Sequence, residues 1–280
     1  MRDLANKVAV VTGAASGIGR ALVARFADAG MRVVLADVEE GPLAKAAGEL
    51  HAAGATVLAV PTNVARAADV EALAHRTMDT FGAVHVVCNN AGVSLAGPMW
   101  EHTIEDWEWL LGVNLWGVVH GIRTFVPIML EQKTPGHIVN TASVAGLTST
   151  PFLGVYNVSK HAVVTMSETL SQELAMLGAD IKVSVLCPGF VNTRILDSDR
   201  NRPARLAPGR ERPRPAELEQ SVRQMIASGM PPHEVAAHVQ RAIEEERFYV
   251  LTHPDFVARV RARMDDIVQG RTPQPSMITG

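Results

Sequence analysis

The chain has 280 residues, with 26 Lys and Arg against 29 Asp and Glu, a formal net charge of −3. Hydrophobic residues make up 47% and charged residues 20%, which excludes a disordered chain, a collagen-like repeat and a disulfide-framework peptide. The near-neutral balance offers no electrostatic grip on nucleic acid or anionic lipid. Two cysteines, Cys88 and Cys187, are too few for a disulfide scaffold or a metal site. The opening residues lack the charged-then-apolar layout of a signal peptide. The first apolar run stops at Thr12 and Gly13, far short of the ~18 residues of a membrane span. The expectation is a cytoplasmic protein with buried free thiols, no metal, no membrane and no nucleic-acid partner.

Val8–Val11 is short, β-branched and unbroken, the pattern of a strand buried on both faces of a parallel sheet. Gly13, Gly17 and Gly19 follow, then Leu22, Val23 and Phe26 at helical spacing, until Gly30 stops the helix. A second apolar run, Val33–Ala36, ends at Asp37. Next come a helix over Leu43–Ala53, a strand over Thr56–Val60, a helix over Ala67–Thr80 and a strand over Val84–Cys88. A longer helix spans Ile104–Gln132, with a bend expected at Pro127. A strand over His137–Thr141, a helix over Val155–Leu177 and a strand over Lys182–Cys187 continue the rhythm. A helix over Pro232–Glu246, a short strand over Phe248–Leu251 and a helix over Asp255–Val268 complete it, and residues 271–280 read as a flexible tail. Such alternation predicts stacked βαβ units in one α/β domain spanning 1–270, with a doubly wound parallel sheet.

One stretch breaks the pattern. Arg194–Pro215 is rich in Arg and Pro and poor in apolar periodicity. It reads either as a solvated surface loop or as a mobile lid over a substrate, because long loops in compact domains are often functional. It has none of the aromatic residues of a nucleic-acid arm. As a lid it would be an insertion over 194–230, mobile without ligand, with Leu196, Leu206, Leu218, Val222 and Met225 as its few apolar anchors.

Three features carry chemistry. Gly13-x-x-x-Gly17-x-Gly19 lies between a strand and a helix, where glycines allow a tight turn and close backbone approach to a diphosphate at a helix N-terminus. An ordinary βα turn could show the same spacing, but the strand before and the helix after strengthen the reading. Asp37 ends the second strand 18 residues after Gly19. It is either a solvent-exposed acid or an acceptor for adenosine ribose hydroxyls that repels a 2′-phosphate. Val38 beside it is not basic, and no Arg or Lys lies between Gly13 and Gly19, so NAD is favoured over NADP. Tyr156 and Lys160 stand one helical turn apart. An ammonium beside a phenol favours the phenolate and suits it to proton transfer, although spacing alone leaves a chance pairing open.

Thr12-Gly13-x-x-x-Gly17-Ile18-Gly19, Asn89-Asn90-Ala91-Gly92, Asn114, Ser143, Tyr156-x-x-x-Lys160 and Pro188-Gly189-x-Val191-x-Thr193 occur in that order. Together they closely resemble the short-chain dehydrogenase/reductase family. The resemblance covers about Asn6 to Thr193, and more weakly continues to Pro254. It implies a single Rossmann-type domain with a seven-stranded parallel sheet, matching the seven strand-like runs. It implies Tyr156 as general acid/base, Lys160 as its tuner and holder of the nicotinamide ribose, Ser143 as donor to the substrate oxygen, and Asn114 as anchor of a relay water. Gly13, Ser16, Gly17, Ile18 and Gly19 would cradle the pyrophosphate, and Asn90, Ala91 and Gly92 would lie beside the adenosine. Pro188, Gly189, Val191 and Thr193 would contact the nicotinamide. Asn63-Val64 stands where the family usually has Asp-Val, and Asn63 can still accept from the adenine amino group.

The resemblance implies NAD as cofactor and the interconversion of a small-molecule secondary alcohol and a ketone. Two alternatives use the same fold: epimerase or dehydratase chemistry, whose relatives usually carry a longer C-terminal substrate domain, and a non-catalytic dinucleotide-binding regulatory role. A homotetramer is expected from the resemblance and from the long helices around 104–132 and 155–177, which are apolar over more than one face. Trp100, Trp107, Trp109 and Trp116 are expected to pack in the core or an interface, with substrate contact as the second reading. Leu95, Leu147, Phe152, Phe190 and Leu196 are candidates for an apolar substrate wall.

Overall fold

The computed structural model describes residue 1 and residues 3–207 and 216–274. Seven strands form one all-parallel sheet in the order β3-β2-β1-β4-β5-β6-β7. They are β1 (Val8–Thr12), β2 (Arg32–Asp37), β3 (Val57–Pro61), β4 (Val86–Asn89), β5 (Gly136–Thr141), β6 (Ile181–Cys187) and β7 (Tyr249–Leu251). Between them run α1 (Gly17–Asp28), α2 (Glu40–Ala52), α3 (Ala67–Phe81), α4 (Ile104–Leu111), α5 (Gly117–Gln132) and α6 (Gly154–Met176). The chain continues with α7 (Ala216–Ala227) and α8 (Pro232–Glu245) before β7, and α9 (Phe256–Val268) after it. The doubly wound single domain expected from the alternation is what the chain forms.

The central strands are rich in β-branched residues because both faces of the sheet are covered there. On one face Leu22 and Phe26 of α1, Leu43 of α2 and Val235, Val239 and Ile243 of α8 pack on Val11, Leu35 and Leu186. On the other, Leu73 of α3, Phe125 and Met129 of α5 and Leu170 of α6 pack on Val34, Val87 and Ile138. Burying a side chain of this size is worth roughly 1.5–3 kcal/mol, so both layers matter. Cys88 lies in the first of these cores and Cys187 in a smaller cluster with Val163 and Val185; both are free and buried, as expected.

Two departures from the sequence reading affect the site. The helix over Ile104–Gln132 is long and apolar enough to cross a membrane, yet Phe125 and Met129 place its second half in the sheet's core. Its irregularity is not at Pro127, which α5 contains without interruption, but at a wide π turn over Gly112–Trp116. The second departure is α7, a helix inside the stretch expected to be a lid. Residues 208–215 of that stretch, and 275–280 of the expected tail, lie outside the described residues.

The winding places the crevice. From β1 the chain builds outward to β2 and β3, then returns to the other side for β4 through β7. The connections leaving the carboxyl ends of β1 and β4 therefore diverge, which opens the usual ligand crevice of such sheets.

Candidate active site

The glycine turn sits at that crevice. Gly13 and Gly17 have φ of +68° and +53°, left-handed values that favour glycine. A Cβ on Gly13 would lie 2.9 Å from the Ala91 Cα, and one on Gly19 would lie 2.0 Å from the Gly13 carbonyl oxygen. The turn is thus drawn tight beneath the N-terminus of α1, where Ser16 adopts the capping conformation without a side-chain capping bond. Thr12 joins this turn to the one after β4: its Oγ1 accepts from Asn90 N at 2.9 Å and Ala91 N at 3.1 Å. Asn90 Nδ2 returns a bond to the Thr12 carbonyl at 2.9 Å.

Asp37 ends β2 and is 8% exposed, so the solvent-exposed reading does not hold. Its Oδ2 accepts from Ala15 N at 2.9 Å and its Oδ1 from Glu39 N at 3.0 Å. The carboxylate is fixed at the rim of the glycine turn. Asn63 Oδ1 accepts from Ala65 N at 3.0 Å, which leaves one lone pair for another donor.

Ser143, Tyr156 and Lys160 come together at the ends of β5 and β6. A Cβ on Gly146 would lie 2.6 Å from the Lys160 carbonyl oxygen, so the turn after Ser143 presses directly onto α6. The Ser143 hydroxyl accepts from Ala145 N at 3.1 Å, donates to the Pro188 carbonyl at 3.4 Å, and hydrogen-bonds the Tyr156 phenol. Lys160 is 3% exposed and donates to the Thr141 carbonyl at 2.9 Å. Its ammonium lies 5.6 Å from the centre of the Tyr156 ring. Burial pushes Lys160 down to about 8. Burial also holds Tyr156 above its ordinary value, against the opposing effect of Ser143. Desolvation therefore sets the direction for the phenol, and the tuning expected from Lys160 does not enter that balance.

Asn114 lies in the π turn and is fully buried. Its Oδ1 accepts from Val93 N at 2.8 Å, and its Nδ2 donates to the Val93 carbonyl at 2.9 Å and Ser159 Oγ at 3.2 Å. A Cβ on Gly92 would stand 3.5 Å from Asn114 Oδ1 and 3.7 Å from Lys160 Nζ. The missing side chain at Gly92 therefore faces a gap between these two polar groups.

These parts share one cleft of about 1360 Å³. Every expected cofactor or catalytic residue lines it except Gly19 and Asn114, which act from behind. Pro188, Gly189, Val191 and Thr193 form its wall beyond β6, and the Thr193 methyl would lie 3.0 Å from a Cβ on Gly17. Phe152, Phe190 and Leu196 line the cleft as expected of a substrate wall. Leu95 and Leu147 do not; they pack into the clusters around Trp109 and Val163. Of the tryptophans only Trp109 is core. Trp107, Trp109 and Trp116 reach the cleft, and Trp100 is exposed.

The first described part of the expected lid, residues 194–207, is a folded strap with firm anchors. At its base Met230 N donates to the Phe190 carbonyl at 2.9 Å, and Asn192 N to the Met230 carbonyl at 3.0 Å. On the glycine-turn side Arg200 forks onto Glu39, with bonds of 3.1 and 2.9 Å that hold the Glu39 carboxyl below its usual range. On the α4 side Arg202 pairs with Asp106 at 2.8 Å, their side chains 5% and 1% exposed, while the guanidinium stacks 5.0 Å from the Trp109 ring centre. Leu206 is buried beside it. Leu196, Val222 and Met225 line the cleft, whereas the Leu218 side chain lies outside the described residues. Glu39, Asp106, Arg200 and Arg202 were missed in the sequence because their partners lie 161 and 96 positions apart, with no periodic signal joining them.

The comparisons fit this geometry. The family model for short chain dehydrogenase matches residues 7–204. A solved short chain dehydrogenase/reductase from Burkholderia phymatum, in complex with NAD, superposes with a TM-score of 0.97 at 47% identity, covering 100% of both chains. The 1-deoxy-11-beta-hydroxypentalenate dehydrogenase of Streptomyces arenae is 39% identical over 266 residues, 94% of this chain and 88% of that protein. The CLA biosynthesis dehydrogenase/reductase of Lactiplantibacillus plantarum is 35% identical over 284 residues, 100% of this chain and 99% of its own. With the glycine cradle, the Ser143–Tyr156–Lys160 constellation and these likenesses all in hand, the chain belongs to the short-chain dehydrogenase/reductase family.

Proposed function

We propose that the chain is an NAD-linked oxidoreductase that interconverts a secondary alcohol and a ketone. The observation that carries this reading is the meeting of Ser143, Tyr156 and Lys160 in the same cleft as a glycine cradle that a single Cβ would fill. That cradle fits a dinucleotide pyrophosphate: Gly13, Gly17 and Ile18 would hold it, with Asp37 on the adenosine ribose and the 188–193 segment at the nicotinamide. NAD, when bound, supplies the acceptor or donor of the hydride.

The chain's own residues handle the proton. As a ketone oxygen gains charge, Tyr156 Oη gives it a proton and Ser143 Oγ donates a second bond that steadies the developing alkoxide. In the reverse direction Tyr156 takes the alcohol proton. Lys160 stands behind the phenol with donors left over from the Thr141 carbonyl, and an oxidised nicotinamide adds a further positive charge that favours the phenolate. Proton return passes Lys160 toward the gap at Gly92 and Asn114 Oδ1, where one relay water would rest. The apolar wall of Phe152, Phe190 and Leu196 suits an apolar substrate, and the 194–230 segment is read as its lid.

A panel of secondary alcohols with NAD and ketones with NADH, followed by absorbance of the reduced cofactor, tests the reading. No turnover across the panel by protein that binds NAD would overturn it. The assembly is read as a homotetramer, supported by the half-buried Val119, Ile122, Val126 and Leu130 along α5. Light scattering at the monomer mass of 30.0 kDa would refute that.

A further inference from the structure

We propose that His253 is a positioning residue: it clamps the Gly189–Phe190 backbone from behind and so sets where the 188–193 segment meets the cofactor. The proposal rests on the NAD-linked reading above and extends it to a residue outside the matched 7–204 region.

His253 follows β7, and its ring engages two consecutive backbone groups. Gly189 N donates to Nδ1 at 3.1 Å, and Nε2 lies 3.0 Å from the Phe190 carbonyl oxygen. An amide N–H on Nδ1 requires a lone pair there, so the ring proton sits on Nε2 and donates to that carbonyl. The Thr252 hydroxyl approaches the same Nδ1 at 2.7 Å. The backbone is pressed close: a Cβ on Gly189 would lie 2.9 Å from His253 Cγ and 2.7 Å from Phe256 Cε2. Gly189 thus has the small size that the clamp demands.

The segment so held is functional on its other face. Pro188, Gly189, Phe190, Val191 and Thr193 line the cleft, and the Pro188 carbonyl accepts from Ser143. The Phe190 carbonyl also accepts from Met230 at the base of the strap. One neutral imidazole therefore steadies both the nicotinamide wall and the strap's root.

The clamp has a built-in pH dependence. An imidazolium carries a proton on Nδ1, which would face the Gly189 N–H, donor against donor. Burial opposes that charge, as does His238 on α8; Asp255 and the Phe190 carbonyl favour it. Arg259 on α9 lies over the neighbouring Phe256 ring. The balance holds His253 below its ordinary 6.5, so it is neutral at neutral pH and charges only in acid.

The test compares wild type, His253→Ala and His253→Asn. Asn keeps an acceptor near the Nδ1 position. NAD affinity is measured by calorimetry from pH 7.5 down through the acid range in which the fold persists, and exchange of the Gly189 amide is measured without ligand. Wild type should lose affinity about three- to tenfold in acid, the worth of one hydrogen bond. His253→Ala should show that loss at every pH, with faster Gly189 exchange. His253→Asn should restore affinity at pH 7.5 and flatten the pH dependence. Equal NAD affinity in all three proteins, or unchanged Gly189 exchange in His253→Ala, would overturn the proposal. Wild-type protein that binds no NAD would instead overturn the cofactor reading, and the amide exchange would still decide whether the clamp exists.

Discussion

Replacing Arg202 with Met should release the strap without unfolding the domain. The Asp106–Arg202 pair is almost wholly out of water, with side chains 1% and 5% exposed. Removing the guanidinium leaves the buried Asp106 carboxylate with His102 Nδ1 at 3.5 Å but without its strap partner, at a cost of about 3–5 kcal/mol. The variant also loses the stacking on Trp109 and the bond from Arg202 Nε to the Leu206 carbonyl. The contacts at stake join the strap to α4 rather than the sheet to its helices. The cost should therefore appear as local opening, raising the open population of 194–206 by roughly 10²- to 4 × 10³-fold at 1.4 kcal/mol per decade. Trypsin offers the assay, since Arg194, Arg200 and Arg205 lie in the strap. When opening and closing outpace cleavage, the cutting rate tracks the open population. The double variant Asp106→Asn/Arg202→Met removes both charges, and its side-chain amide oxygen can still accept from Thr103 N as the Asp106 carboxylate does at 2.8 Å. It should recover much of the protection. Unchanged trypsin sensitivity in Arg202→Met, or no recovery in the double variant, would refute the assignment of the pair as the strap's anchor.

Other expectations follow from the site. Tyr156→Phe removes one hydroxyl and should cost about 10²- to 10⁴-fold in turnover, with NAD affinity and melting temperature retained; near wild-type turnover would count against the role. Asp37→Ala should narrow the preference for NAD over NADP, read as the ratio of kcat/KM values, because it removes a carboxylate held toward the ribose rim. Gly19→Ala puts a methyl 2.0 Å from the Gly13 carbonyl and should abolish NAD binding by calorimetry; retained affinity would contradict the tight turn. Lys160, pushed down to about 8 from 10.5, penalises the fold while it is charged. Sign and size follow from linkage: stability should rise by about 3 kcal/mol as pH climbs from 8 past 10, relative to Lys160→Met, in denaturant titrations.

Much of the fold was legible because its signals are local. The β-branched runs at Val8, Val33 and Val183 announce doubly covered strands, and the glycines at 13, 17 and 19 mark a turn whose geometry they alone permit. The ordered motifs from Thr12 to Thr193 identified the residues that meet in the cleft. What stayed hidden depends on distant neighbours. Arg200 and Arg202 look like any solvated arginines until Glu39 and Asp106 are brought to them by the fold. The π turn at Asn114 leaves no mark in an apolar helical pattern, and Pro127 drew the expected bend to the wrong turn. The burial of Asp37 depends on Ala15 and Glu39 folding back over it. Leu147 stands near Ser143 in the sequence yet packs with Val163, since adjacency in the chain does not decide which face of a turn a side chain takes.

The tie between Glu39 and Arg200 bears on any attempt to re-engineer the cofactor. A change of preference toward a phosphorylated nucleotide would begin at the end of β2, by trading acids there for neutral or basic groups. At Asp37 that exchange also releases the Ala15 and Glu39 amides, but it stays within the nucleotide cradle. At Glu39 it also removes one tie of the strap and frees the Nε and Nη2 side of Arg200, whose Nη1 stays on the Arg194 and Asp197 carbonyls, with Arg194 3.8 Å from the same carboxylate. The freed arginines are themselves suited to grip a phosphate. A designer substituting Glu39→Gln would thus obtain two outcomes from one codon: a basic receptor for the larger nucleotide, and a strap held on the α4 side alone.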